Sequence, residues 1–505
     1  MTSYAFKKRM HDVLLGAPVA LLFSFIFISA SGLSFTWLVL ILAGLGFVTL
    51  TFLSRRPQDI YFTCYIATVS VELTKGLIAE GGIYTPGLYL SLSDLFLIPL
   101  LVSKVLNHLF ERRPPVRSHP ILTAASIWLL WQWISALNSM VSLGAILAAV
   151  NQTKYFIALW VVASYLGEPK HWQYFMRGIA IAVVLHFIMS MLQVGTGGGL
   201  QLQGIKTSAQ QTISYAAAGL VGLFRPSGLL SHPNALADFL VLILPTVAGF
   251  LLLGRGKIGP AFLSVIWVLL LGLLMLVLTL SRGGWVAFVI GMICFIVLGF
   301  RRHIISILHI RRMLICVIIG LMVTAVAFPT VYLRLTESDN RSTQSRILLA
   351  QQALLIIERY PVSGVGLGAY TYAAHRNLPT TYSSIPDAFR ESLLKGVVHN
   401  KYLLVAAETG LIGLLLFLNI FRVAFKFLWR ARFNNDPVRQ ALAVGFFAGL
   451  VAGLSTFMLE HANIGVPVET TWIMLGACIP LIKKSRPYTA AQLQAYSTEA
   501  RDVVR

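Results

Sequence analysis

Apolar runs of about 17–25 residues recur along the whole chain, separated by short basic or glycine- and proline-containing breaks. A bilayer core admits only structures that satisfy every backbone N–H and C=O internally, which means helices or closed barrels. Barrel strands need only about 9–11 residues, so runs this long predict helices. The expected fold is therefore all-α: a polytopic transmembrane bundle of about 12–14 spans, with a long periplasmic loop containing amphipathic helices. Composition agrees, with 57% hydrophobic residues, 12% charged and a mean hydropathy of +0.77. That balance excludes an ordinary soluble domain.

Spans are expected near residues 12–30, 34–53, 59–78, 88–103, 120–138, 142–166, 178–195, 234–253, 259–280, 283–300, 313–333, 398–421, 440–458 and 466–482. The first follows Lys7, Lys8 and Arg9 and reads as an uncleaved signal anchor, because further spans follow at once. The net charge of +21 would suggest nucleic acid in a soluble protein. Here the cations lie between apolar runs. With a cytoplasmic N-terminus, every predicted inner segment carries at least two Lys or Arg, Arg301-Arg302 and Arg311-Arg312 among them. Both termini are then cytoplasmic. Loops 196–233 and 334–397 face the exterior or periplasm, where no ATP is available.

Polar exceptions in such a chain carry the functional signal. His399 and Asn400 open the apolar run HNKYLLVAAETGLIG, directly after the long hydrophilic loop. Either they cap a helix at the interface, or His399 is a general base toward a sugar hydroxyl. In an unbroken helix, 11 residues is almost three turns and 14 is close to four. Gly410 and Gly413 would then share the His399 stripe and let a neighbouring helix approach. Glu408 would face the other way, about 13 Å deeper.

Arg282, in LTLSRGGWVAF, sits on the side that the positive-inside rule depletes, either snorkelling or holding an anion. Arg346 lies on an amphipathic helix ending before Pro361, and Arg225 precedes a rigid Pro226–Pro233 turn. Pro361 to Gly368 lacks the strand and helix of a nucleotide loop and reads as a flexible turn where backbone approaches substrate. Glu337 and Asp339 form a solvated pair with no second carboxylate cluster beside it, so no metal is expected. Lys154, Glu408 and the pair Glu72/Lys75 are intramembrane charges, either structural or functional. The four cysteines lie in apolar runs without ligand spacing and read as small buried hydrophobes.

Three motifs together resemble the O-antigen ligases and polysaccharide polymerases of bacteria, over about residues 220–425. His399-Asn400, Gly410 and Gly413 fit the ligase histidine pattern H-[NSQ]-x9-G-x2-[GTY]. The segments SRGGW at 281–285 and SRILLAQQALLIIERYPVSGVGLGAY at 345–370 are similar to the region shared by both groups. The resemblance implies a glycosyltransferase that takes a glycan from undecaprenyl diphosphate and passes it to an acceptor sugar hydroxyl, on lipid A-core for a ligase. No cofactor or metal is implied, and the configuration inverts. It implies His399 as the essential histidine, Arg282, Arg346 and Arg225 as diphosphate-binding residues, and Asn400, Gly410 and Gly413 as support. The chain then divides into N-terminal transmembrane helices (1–200), a catalytic region (201–425) and C-terminal helices with a tail (426–505). A repeat-unit polymerase would use the same chemistry. A flippase should show internal repeats and helices broken near the midplane.

Overall fold

A computed structural model describes residues 42, 46, 57–78, 87–110, 119–197, 212–215, 220–251, 260–300, 340–379, 382–383, 385–394, 396–434, 436–459 and 466–482. The expected spans at 12–30 and 313–333, most of 34–53, and the pair Glu337/Asp339 lie outside the described residues. The chain is an all-α polytopic bundle, with two short antiparallel hairpins inserted. Seven described helices are long and apolar enough to cross a membrane.

Helix α1 (Pro57–Thr68) leads to strands β1 (Thr74–Ile78) and β2 (Leu88–Ser91), then to α2 (Asp94–Phe110), α3 (Pro120–Leu137), α4 (Ser142–Tyr165) and α5 (Trp172–Gly195). A second hairpin, β3 (Thr212–Tyr215) and β4 (Leu220–Phe224), precedes α6 (Pro233–Leu251), α7 (Pro260–Leu278) and α8 (Arg282–Phe300). Outside the main bundle lie α9 (Asn340–Arg359), α10 (Tyr370–Arg376) and α11 (Asp387–Leu394). The chain returns through α12 (Lys401–Ala431), α13 (Pro437–Thr456) and α14 (Val466–Ile482).

Two expected spans are not continuous helices. The run 59–78 is helical only to Thr68, and 88–103 begins as a strand. The alternation Val69-Ser70-Val71-Glu72-Leu73-Thr74 puts β-branched residues where an extended chain accommodates them better than a helix. β1 and β2 then satisfy each other's backbone groups. Glu72 is thus on extended chain, its carboxylate accepting from the Ser231 N–H at 2.8 Å. The Lys75 side chain is outside the described set.

Glycines set the closest helix contacts. A Cβ on Gly445 of α13 would lie 3.0 Å from the Pro245 carbonyl, and one on Gly449 would lie 2.5 Å from that of Leu242. On the adjacent stripe of α13, Gly291 of α8 meets Ala452. Gly476 of α14 sits against Leu159 of α4. Without a hydrophobic drive between helices in lipid, such small-residue seams supply the packing. Large apolar side chains point outward instead, as at Leu130, Val286 and Leu415.

The buried charges have structural partners. Lys154 Nζ lies 3.2 Å from Asp94 Oδ2, which also accepts from the Ser91 amide and hydroxyl at 2.7 Å each. Tyr65 donates to Glu469 at 2.9 Å on the facing helix.

Candidate active site

The largest departure from the sequence expectation lies within α12. Gly410 takes φ +71 and ψ 180, which breaks the helix. A continuous helix would separate residues 402 and 417 by about 22 Å, yet the Tyr402 and Phe417 rings are 6.5 Å apart. Lys401 shares one apolar cavity wall with Phe417 and Phe421. Residues 401–409 therefore fold back along 411–421, and the His399 end lies beside the second arm rather than in line with it. The stripe expected to join His399, Gly410 and Gly413 does not exist. Glu408 is not deeper than His399 but nearer the Gly410 break.

Breaking a helix within the bundle strands carbonyls and N–H groups that must find partners. The Pro361–Gly366 turn supplies them. Val365 N–H donates to the Ala407 carbonyl and Gly366 N–H to that of Glu408, both at 2.9 Å. Leu411 N–H donates to the Pro361 carbonyl at 2.8 Å. Trp131 Nε1 covers the Thr409 carbonyl at 2.9 Å, and Ser135 adds a bond to Glu408 O. A Cβ on Gly410 would overlap the Val362 carbonyl, and one on Gly364 would overlap the Glu408 backbone. The backbone of this turn is packed against α12. Gly413 leaves room for the Thr409 hydroxyl and the Trp131 ring.

Asn400 is the N-cap of the folded-back arm, its Oδ1 accepting from the Leu403 N–H at 3.0 Å. Its Nδ2 donates to the Met458 carbonyl at 3.1 Å, and Lys401 N–H donates to that of Phe457 at 2.8 Å. The arm is thus anchored to the turn at 457–459, just beyond α13. The start of the Arg282 helix also lies against that turn. Arg282 is the first residue of α8, and a Cβ on the next residue, Gly283, would lie 2.8 Å from Leu459. Arg225 is buried, with Nε donating to the Thr279 carbonyl and Nη2 to Asn234 Oδ1, both at 2.7 Å.

Arg346 sits in the first half of α9. Leu348, Leu349 and Ile356 of that helix pack in one cluster with Val398, Leu404 and Ala407, so α9 covers the histidine arm. Gln352 ties α9 to α10 through the Ala374 carbonyl at 3.0 Å. Tyr382 meets the same glutamine at 3.3 Å, and burial pushes its phenol up to about 12. Arg225, Arg282 and His399 are gathered by shared neighbours at 279–284 and 457–459, with Arg346 on the helix that covers the arm. Among the described residues, no group of three or more His, Cys, Asp or Glu is arranged to hold a metal.

The family model for O-antigen ligases matches residues 267–418. This chain carries an O-antigen ligase domain. The domain runs from α7 past Gly413 and contains Arg282, Arg346, the Pro361–Gly366 turn and the folded-back arm. Arg225 precedes it. The domain match supports ligase- or polymerase-like glycosyl transfer on glycan or lipid-linked substrates, in a chain with seven described helices long and apolar enough to cross a membrane. No curated protein matches the chain.

Sequence reasoning missed the break, the turn that fills it and the anchor at 457–459. One signal was present. The apolar stretch opened by His399 runs to Ala431, and 31 residues make a helix of about 46 Å against a hydrocarbon core of about 30 Å.

Proposed function

We propose that the protein transfers a glycan from undecaprenyl diphosphate to an acceptor sugar hydroxyl, lipid A-core in the first instance, at the periplasmic face of the bacterial inner membrane. The catalytic region is 201–425, between the N-terminal helices and the C-terminal helices and tail. The observation that carries this reading is the convergence of two parts of the matched domain, the His399–Asn400 arm and the start of the Arg282 helix, on the 457–459 turn just beyond it.

In this mechanism His399 accepts the acceptor hydroxyl proton as the oxygen attacks the anomeric carbon. The bond from that carbon to the diphosphate oxygen breaks, with inversion. Arg282 and Arg346 hold the departing diphosphate and offset its charge, the service a metal gives in other transferases. Arg225 stands behind Arg282 as a third cation. Asn400 sets the arm that carries the histidine.

The test uses purified protein, undecaprenyl-diphosphate-linked oligosaccharide and lipid A-core, with and without EDTA. His399→Ala should lower turnover by about 10²–10⁴, with donor binding little changed and EDTA without effect. Wild-type turnover in the His399→Ala variant would sink the base role. Products lengthened by repeat units without lipid A-core would replace the ligase reading with the polymerase.

A further inference from the structure

Leu280 has φ +50, and it is the one non-glycine residue with positive φ among those described. It lies two residues before Arg282, just past the end of α7. Helices often end on a left-handed residue, but glycine usually fills that place because a side chain there is strained. A leucine persists in it only where the surroundings hold the turn.

The clamp is visible on both sides of Leu280. Arg225 Nε takes the Thr279 carbonyl at 2.7 Å, and Leu280 N–H donates to Val277 O at 3.0 Å. The Ser281 carbonyl accepts from Trp285 N–H at 3.0 Å, while Trp285 Nε1 reaches back to the Leu276 carbonyl at 2.9 Å. Arg225 is itself fixed from behind. Gln193, only 2% exposed, accepts from the N–H groups of Ser227 and Gly228 at 3.0 and 2.9 Å. Its amide donates to Gly228 O at 2.9 Å. His186 takes the Leu229 N–H at 3.2 Å, and Glu72 takes that of Ser231.

We propose that Arg225 is a positioning residue: seated by Gln193 through the 227–229 turn, its guanidinium holds the Thr279 carbonyl so that Leu280 stays left-handed and Arg282 points at the donor. An arginine built to grip a diphosphate presents its fork to the ligand. This one is 7% exposed and gives Nε and Nη2 to protein oxygens. The inference rests on Arg282 as the diphosphate ligand.

The test is suppression. Glycine takes positive φ without strain, so Leu280→Gly keeps the turn without the clamp. Donor KM for undecaprenyl-diphosphate-linked oligosaccharide is measured for Arg225→Ala and Gln193→Ala, in the Leu280 and the Leu280→Gly backgrounds. With Leu280, each variant should raise donor KM about tenfold, a change of ~1.4 kcal/mol. In the Leu280→Gly background, each should cost less than about threefold relative to Leu280→Gly alone. A tenfold loss that persists in the glycine background would make Arg225 a direct ligand and overturn the inference, as would no loss with Leu280. If Gln193→Ala does not fold, Gly228→Ala disturbs the same turn, since its Cβ would lie 2.5 Å from His186 Nδ1, and it should be suppressed alike. Arg282→Ala with full activity would instead remove the diphosphate reading, which separates the two failures.

Discussion

At the scale of residues, geometry separates side chains that composition treats alike. Arg282 begins a helix, where backbone N–H groups and the dipole add to its attraction for an anion. Its planar fork suits two phosphate oxygens in a way an ammonium does not. Arg282→Ala should lower turnover by about 10²–10³, the usual loss for one donor aimed at developing charge. Arg282→Lys should recover little of it, and the same order should hold at Arg346. Wild-type turnover in both alanine variants, at normal protein level, would end the diphosphate role. Asn400 offers a finer test, since it caps the arm with its oxygen and anchors it with its nitrogen. Asn400→Asp keeps the cap and loses the anchor. If the anchor sets the histidine, Asp should reduce activity nearly as much as Ala while leaving a higher melting temperature, the cap alone being worth ~1 kcal/mol.

At the scale of elements, the break at Gly410 and the turn at 361–366 form one construction. Neither half satisfies its backbone without the other. Gly410→Ala and Gly364→Ala should each destabilise the protein by at least about 2 kcal/mol, from the left-handed penalty plus overlap with facing backbone. Gly167→Ala, whose Cβ would meet nothing closer than Ser164 O at 3.6 Å, should be neutral in the same melts. The fold-back can also be read directly. With the native cysteines replaced, Tyr402→Cys and Phe417→Cys should be joined by a short bis-thiol crosslinker, whereas an unbroken helix would hold them about 22 Å apart. These elements also mark where the sequence stops being legible. The spans that became α3, α4, α5, α6, α7, α8, α13 and α14 follow from hydropathy, because bilayer thickness fixes both the length and the polarity of each run. His399, Arg282 and Arg346 stood out as polar residues in apolar or depleted settings. The Gly410 break did not, because its partner is a loop some 45 positions upstream and no local periodicity records that pairing. The α1–β1 boundary was missed for a related reason: the mean hydropathy of 59–78 is that of a span, and only its β-branched alternation betrays the strand.

At the scale of the whole molecule, the packing fixes which helix ends share a side. Gly283 of α8 meets Leu459 beyond α13, Gly291 meets Ala452, and Gly249 near the end of α6 meets Ala441 near the start of α13. So α6 and α8 both run antiparallel to α13. The starts of α6 and α8 lie with the end of α13 and with His399. The ends of α6 and α8 lie with Ala431 and Pro437. That second side carries Lys426, Arg430, Arg432 and Arg439, and the loop after α8 opens on Arg301-Arg302. Arg432 lies over the Trp429 ring at 3.2 Å, an aromatic anchor of the kind found at a membrane interface. Basic flanks stay in the cytoplasm during insertion, so the arm, Arg282 and the α9–α11 helices should face the periplasm. Reporters fused after residues 205 and 380 should therefore be active only outside, and those after 115, 307 and 430 only inside. Residue 380 decides the matter. An undecaprenyl-diphosphate donor awaiting transfer to lipid A-core must meet the arginines and His399 on one side of the membrane, and a cytoplasmic signal at 380 would put them on the other.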